Sequence, residues 1–131
     1  MEPRMCLSLH NPPKSYGDCI RACVATLINE DDVPHVFGEQ EPEESWRLLR
    51  EYLATKGKFL AIFSTDETFE FMKENNRDVP YMLLCQMETG EDHALVCKND
   101  KVIHNPAYYK SAIKGKHSCG FWIICVIGNM V

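Results

Sequence analysis

The sequence predicts an α+β protein in which helices come first and an antiparallel sheet follows. Residues 18–75 contain three segments whose apolar residues recur at helical spacing. From Val79 onward, short apolar runs alternate with turn residues, which is the pattern of an antiparallel meander. Helices followed by a run of strands are typical of the α+β class. A chain of 131 residues is sufficient for one core, and we predict a single domain over residues 1–131.

The central element is a helix that we predict from Asp18 to about Asn29. Apolar or small residues recur every three or four positions after Cys19, as expected for a helix packed along one face. Asp18 is a favourable N-cap because its side chain can accept hydrogen bonds from the first-turn amides. The positive end of the helix dipole is expected to lower the pKa of Cys19 and favour the thiolate. Cys23, one turn later, should face the core.

Local signals predict the remaining elements in order. Proline and acidic residues open a second helix near Gln40, and Gly57 closes it. Turn residues then separate the later strands. The strongly apolar last strand is compatible with a position inside the sheet or at its edge. The predicted elements besides the central helix are a short strand at 4–9, a loop at 10–17, the second helix at 40–57, a strand at 58–63, a third helix at 65–75, and strands at 81–87, 93–97, 102–104 and 120–127.

Charge and cysteine usage limit the classes of function. The net charge is −5 and the basic residues are scattered, which argues against nucleic acid or an anionic membrane as a partner. No apolar run approaches the roughly 20 residues of a membrane span, and the start of the chain does not resemble a signal peptide. The odd count of 7 cysteines favours reduced thiols in a cytoplasmic protein. Oligomeric state is left open.

A cysteine at the start of a helix is one half of a nucleophilic site, and the other half requires a base and an orienting group. His93 is the natural base because it begins a strand directly after a glycine-containing turn. Asn105 ends the next strand, where its carbonyl can accept from the imidazole and turn the other ring nitrogen toward the sulfur. His104, which alternates to the other face of that strand, is the reserve choice for the base.

Three segments, Gly17–Cys19, Asp92–Val96 and His104–Pro106, carry a resemblance to a known family. Their order and residue types resemble the papain-like cysteine peptidases, and most closely the small C39-like branch. Similar helices with a Gly-Asp-Cys-x-Arg-Ala-Cys sequence recur in phage and bacterial proteins. The resemblance implies a papain-like frame in which an N-terminal central helix packs on a C-terminal antiparallel sheet. The cytoplasm would be that of the host cell if the chain is phage-encoded.

The resemblance also implies roles for individual residues: Cys19 as nucleophile, His93 as base and acid, and Asn105 as orienting residue. The family usually has Asp at the third position, and here it is Asn. Its oxyanion donor is usually a Gln about six residues before the cysteine, a place that Pro13 occupies here. The remaining candidates for an oxyanion donor are Asn11, Tyr16 and the amide of Cys19.

The expected function is that of a thiol hydrolase, a cysteine peptidase or amidase that cleaves an amide, isopeptide or related acyl bond through an acyl-enzyme. The substrate is expected to be a peptide, a protein or a small amide, and Tyr108 and Tyr109 are candidates for the substrate cleft. No cofactor is expected, and no metal, because the chain lacks cysteine pairs at zinc spacing. Three alternatives stay open: an acyltransferase or transglutaminase-like enzyme, a weak or inactive papain-like binding module, and a small adaptor without catalytic ancestry.

Overall fold

The structure is a computed structural model that describes residues 2–8, 17–38, 40–64, 78–87, 92–99, 101–107 and 123–130. Within these ranges, the chain forms two helices and one sheet of five strands, which confirms the α+β class. The helices are α1 (Cys19–Ile28) and α2 (Pro42–Thr55), and the strands are β1 (Lys58–Ser64), β2 (Tyr81–Gln86), β3 (Asp92–Lys98), β4 (Lys101–His104) and β5 (Ile123–Asn129).

The sheet has the strand order β1-β5-β2-β3-β4, and every neighbouring pair is antiparallel. The last strand therefore lies inside the sheet, where Cys125 pairs with Ile62 of β1 on one side and with Met82 of β2 on the other. This settles the question that the sequence left open. An interior position explains the apolar composition of β5, since both of its edges are hydrogen-bonded and Ile124 and Cys125 are fully buried.

Helix α1 packs on β3 and β2, and helix α2 packs on β1. Cys23 and Val24 are fully buried and share one apolar cluster with Ala94 and Val96 of β3. The prediction that Cys23 faces the core is confirmed. Because successive residues of a strand point to opposite faces, the two neighbours of Ala94 in β3 point away from this cluster.

The opposite face of the sheet carries a second buried cluster that includes Leu83, Cys85 and Leu95. His93 pairs directly with Cys85 in the register of β2 and β3, so their side chains share this face. Ala94 therefore faces α1, and His93 lies beside Cys85, a residue on which Cys19 acts electrostatically.

The N-terminal segment differs from the prediction. Residues 2–8 form no strand, so the strand predicted at 4–9 is wrong over the part that is described. Their amides bond to side chains and to one loop carbonyl instead of a neighbouring strand; Arg4 N, for example, donates to Thr26 Oγ1 at 2.9 Å. The helix predicted at 65–75 lies outside the described residues.

Candidate active site

The imidazole of His93 contacts the side chain of Asn105. The distance from His93 Nε2 to Asn105 Oδ1 is 2.8 Å. Strand β4 runs antiparallel to β3, so the chain that leaves β4 returns toward the start of β3 and brings Asn105 to His93. His93 is buried, with 8% of its surface exposed. The sequence predicted both this pair and its origin in the meander.

The hydrogen bonds around Asn105 identify which nitrogen of His93 carries the proton. The backbone N–H of Ala107 donates to Asn105 Oδ1 at 3.0 Å, and a backbone N–H can only donate, so the atom that faces both groups is the amide oxygen. An amide oxygen can only accept, which makes His93 Nε2 the donor. In the neutral ring, Nδ1 then keeps its lone pair and is the basic nitrogen.

Cys19 is the first residue of α1, and its sulfur lies at the start of β3. Cys19 Sγ accepts hydrogen bonds from the backbone N–H groups of Ala94 and Ile20. Because Ala94 directly follows His93, this bond places the thiol one residue along the strand from the imidazole. The three residues predicted from the sequence are therefore brought to one end of α1 and β3.

The expectation of a lowered pKa for Cys19 is wrong. Burial raises the pKa of this thiol above its ordinary value. The N–H groups of Ala94 and Ile20 oppose the effect, and the carboxylate of Asp18 adds to it. Cys19 is therefore held as a thiol, and a reaction at its sulfur would need a base to remove the proton.

The predicted cap at Asp18 is also wrong in its detail. Asp18 occupies the N-cap position of α1, but its side chain makes no capping hydrogen bond. Its carboxylate instead accepts from the backbone N–H groups of Leu7 and Ser8 and pairs with Arg21 Nε at 2.7 Å. Asp18 therefore does not accept from the first-turn amides, and the amides of Cys19 and Ile20 bond to the sulfur of Cys19 instead.

His104, the reserve choice for the base, has a different partner. Its Nε2 lies 2.6 Å from the carbonyl oxygen of Arg4, to which it donates because a carbonyl can only accept. This bond ties β4 to the N-terminal segment. His93, whose ring contacts Asn105, is the histidine that the geometry favours as a base.

Several predicted site residues lie outside the described residues, namely the oxyanion candidates Asn11 and Tyr16, the cleft candidates Tyr108 and Tyr109, and Pro13 in place of the usual Gln. Among the described side chains, no group of three or more His, Cys, Asp or Glu is arranged to hold a metal ion. None of the described helices has the length and apolar character needed to cross a membrane.

Comparisons with known proteins return no relatives: no family model, no curated protein and no solved structure matches this chain. The site must therefore be interpreted from its own geometry. The sequence did not predict two features of the site. One is the hydrogen bond from the Ala94 amide to the Cys19 sulfur, and the other is the buried ion pair between Asp18 and Arg21. Arg21, a charge at i+3 from Asp18 within an apolar helix, was the available signal for the second.

Proposed function

We propose that the protein is a thiol hydrolase with a papain-like frame, which cleaves an amide, isopeptide or related acyl bond. Cys19 is the nucleophile, His93 the general base and acid, and Asn105 the residue that orients the imidazole. The observation that carries this proposal is the 2.8 Å contact between His93 Nε2 and Asn105 Oδ1, with the oxygen identified by the Ala107 amide. This contact leaves Nδ1 as the proton acceptor of a ring that directly precedes Ala94, whose amide donates to the Cys19 sulfur.

The raised pKa of Cys19 favours general-base catalysis over a pre-formed thiolate–imidazolium pair. In this scheme, the sulfur attacks the substrate carbonyl while its proton passes to His93 Nδ1. The imidazolium then protonates the leaving amine as the carbon–nitrogen bond breaks, which leaves an acyl group on the sulfur. Water, deprotonated by the same nitrogen, hydrolyses this thioester and regenerates the thiol.

Transition-state stabilisation is expected from backbone amides. The amide of Cys19 lies in the first turn of α1, where N–H groups have no carbonyl partner within the helix, and it bonds to the Cys19 sulfur. The Asp18 side chain does not bond to these groups. Their direction toward the helix start suits the negative charge of a tetrahedral intermediate, as a substitute for the side-chain donor absent at Pro13.

The experiment that tests the proposal measures acyl transfer onto the protein. Wild type is incubated with a p-nitrophenyl ester and a small-molecule thioester, quenched in acid and analysed by intact mass and peptide mapping. We expect one acyl group, located on Cys19, and none in Cys19→Ala. In His93→Ala the rate should fall by about 10²–10⁴-fold, the usual contribution of a general base. His35→Ala, an exposed histidine between the helices, is the matched control and should react like wild type.

Variants of the orienting residue refine the test. Asn105→Asp keeps an oxygen that accepts from His93 and Ala107 and should retain most of the acylation rate, whereas Asn105→Ala should lose it. Addition of a primary amine distinguishes a transferase from a hydrolase, because only a transferase would release the acyl group as an amide in preference to the acid.

A second candidate is a papain-like binding module without catalysis. The raised pKa of a partly buried Cys19 favours it, since an inert structural cysteine has the same property. This candidate predicts no acyl adduct in wild type, equal thiol reactivity in wild type and His93→Ala, and an unchanged biological effect in Cys19→Ala.

A further inference from the structure

The buried ion pair beneath the start of α1 is not used in the scheme above. Asp18 is 2% exposed, and its carboxylate accepts from Arg21 Nε at 2.7 Å. It also accepts from the backbone N–H groups of Leu7, at 2.9 Å, and Ser8, at 3.1 Å. An acid this deeply buried would ordinarily cap its own helix or be replaced by a neutral residue, because burying a charge is costly.

Arg21, the cation of this pair, also binds the N-terminal segment. Arg21 Nη2 donates to the carbonyl oxygen of Met5 at 3.0 Å. Asp18 and Arg21 therefore both bind residues 5–8. The carboxylate accepts from the backbone amides of Leu7 and Ser8, and the guanidinium donates to the backbone carbonyl of Met5. We call residues 4–8 with this ion pair the N-terminal brace.

The far side of the brace contacts the residues on either side of Asn105. Cys6 N donates to the carbonyl oxygen of Pro106 at 2.9 Å. His104 Nε2 lies 2.6 Å from the carbonyl oxygen of Arg4. The brace thus joins the residue before Cys19 to the residues before and after Asn105.

We propose that Asp18 and Arg21 are positioning residues, which act through the N-terminal brace to hold the Cys19 end of α1 against the Asn105 end of β4. This inference rests on the proposed function, because it assigns a role toward the same nucleophile and orienting residue. Neither side chain touches the reacting atoms. The pair also sets the charge next to the sulfur, which provides a measurable signature.

Asp18 acts electrostatically on Cys19, and Cys19 in turn acts on three neighbouring thiols, Cys6, Cys23 and Cys85. Asp18 precedes it in the chain, Cys6 faces it from the brace, and Cys23 lies one turn along α1. Cys85 approaches from β2. Burial raises the pKa of Cys6 and of Cys85 to about 12 and that of Cys23 well above its ordinary value, so these three thiols are neutral near pH 7.

Beyond these thiols, His93 lies next to Ala94, whose amide donates to the sulfur. The charge that the pair contributes is the Asp18 carboxylate, partly neutralised by Arg21. Burial would raise the pKa of Asp18, but the hydrogen bonds from Arg21, Leu7 and Ser8 outweigh it and keep the pKa below its usual range. The carboxylate is therefore ionised throughout the range in which Cys19 is alkylated.

The test compares two neutral substitutions with opposite expected effects. In Asp18→Asn, loss of the anion should move the pH midpoint of Cys19 alkylation by iodoacetamide down by about one unit. In Arg21→Gln, the carboxylate loses its counter-ion, and the midpoint should move up. A pair that serves only to hold the fold together would move both midpoints in the same direction, toward that of an exposed cysteine. The matched control is Asp32→Asn, which removes an exposed carboxylate that accepts from Tyr52 and Lys56 and should leave the midpoint unchanged.

The rate of acyl transfer provides the second measurement. In both Asp18→Asn and Arg21→Gln, the acylation rate at the optimum pH of each variant should fall at least tenfold, because the nucleophile and the orienting residue are no longer held together. Leu7→Pro is the variant to use if these fail to fold, since it removes one amide from the brace at a residue that is 82% exposed. It should lower the acylation rate without moving the alkylation midpoint.

The outcomes separate the two proposals. Opposite shifts with reduced acylation support the positioning role. Unchanged midpoints and rates in folded Asp18→Asn and Arg21→Gln, with wild type active, would overturn the positioning role and leave the proposed function intact. If wild type forms no acyl adduct at Cys19, the proposed function fails, and the positioning role toward that reaction fails with it. The alkylation midpoints would then still report on the charge next to Cys19.

Discussion

The two helices begin with the same charge pattern at different depths. At the start of α1, Asp18 pairs with Arg21, three residues later, and at the start of α2, Glu44 pairs with Arg47 at the same spacing. The side chains of the first pair are 3% and 10% exposed, whereas those of the second are 44% and 53% exposed. The buried carboxylate makes no cap and binds another segment of the chain, whereas the exposed carboxylate pairs with an arginine of its own helix.

This difference shows that spacing along a helix does not determine what an ion pair does. An exposed pair is solvated in the folded and the unfolded state, so it contributes little to stability. A buried pair loses its water, and each group then depends on its protein partners. The predictions below test this contrast, from the largest expected effect to the smallest.

The largest effect is expected for removal of each carboxylate. Asp18→Ala leaves Arg21 and two backbone amides without their acceptor and should lower the free energy of unfolding by about 3–5 kcal/mol. Glu44→Ala should change it by less than about 1 kcal/mol. Urea unfolding followed by circular dichroism measures both, and equal losses would show that burial does not distinguish the pairs.

The pH dependence of stability comes next. Because the fold keeps the pKa of Asp18 below its usual range, the unfolded chain binds that proton more readily. The stabilisation is present above the unfolded value of about 3.9 and is lost as the pH falls through the lower folded value. The difference in free energy of unfolding between wild type and Asp18→Asn should be largest at neutral pH and should decrease in acid. Thermal unfolding from neutral pH downward measures this difference. A difference that increased in acid would contradict the ionised state assigned to Asp18.

A cysteine placed at the second helix start isolates burial from helix position. Glu43→Cys puts a thiol in the first turn of α2 at an exposed position. Without the burial that raises the pKa of Cys19, it should be alkylated with a midpoint about one pH unit lower than that of Cys19. Both midpoints come from one digest of the variant by mass spectrometry. Coincident midpoints would mean that burial is not what raises the pKa of Cys19.

The smallest effect is the response to salt. At about 1 M salt the screening length is about 3 Å, so the few tenths of a kcal/mol contributed by the exposed Glu44–Arg47 pair should vanish. The destabilisation by Asp18→Asn should be nearly the same at low and high salt, because solvent ions do not reach the buried pair. Urea unfolding of Glu44→Gln and Asp18→Asn at both salt concentrations makes the comparison.

The local parts of the fold were largely predictable. The helix ends at Asn29 and Gly57 followed from local signals, and both residues adopt a positive φ, at 58° and 69°. The pair of His93 and Asn105 was also predictable, because a short meander brings the ends of consecutive strands together. The strand expected at residues 4–9 was not found over the described part, since an apolar pattern does not reveal whether a partner strand is present.

The amino-acid sequence by itself determined the α+β class, the two helices, the meander and the choice of Cys19, His93 and Asn105 as candidates. These depend on periodicity, turn residues and short separations along the chain, which are local properties. Only the tertiary structure decided that β5 lies inside the sheet, that the Ala94 amide meets the Cys19 sulfur, and that Asp18 turns away from its helix. Burial and pairing between distant segments set these features, and they raise the pKa of Cys19 although it begins a helix.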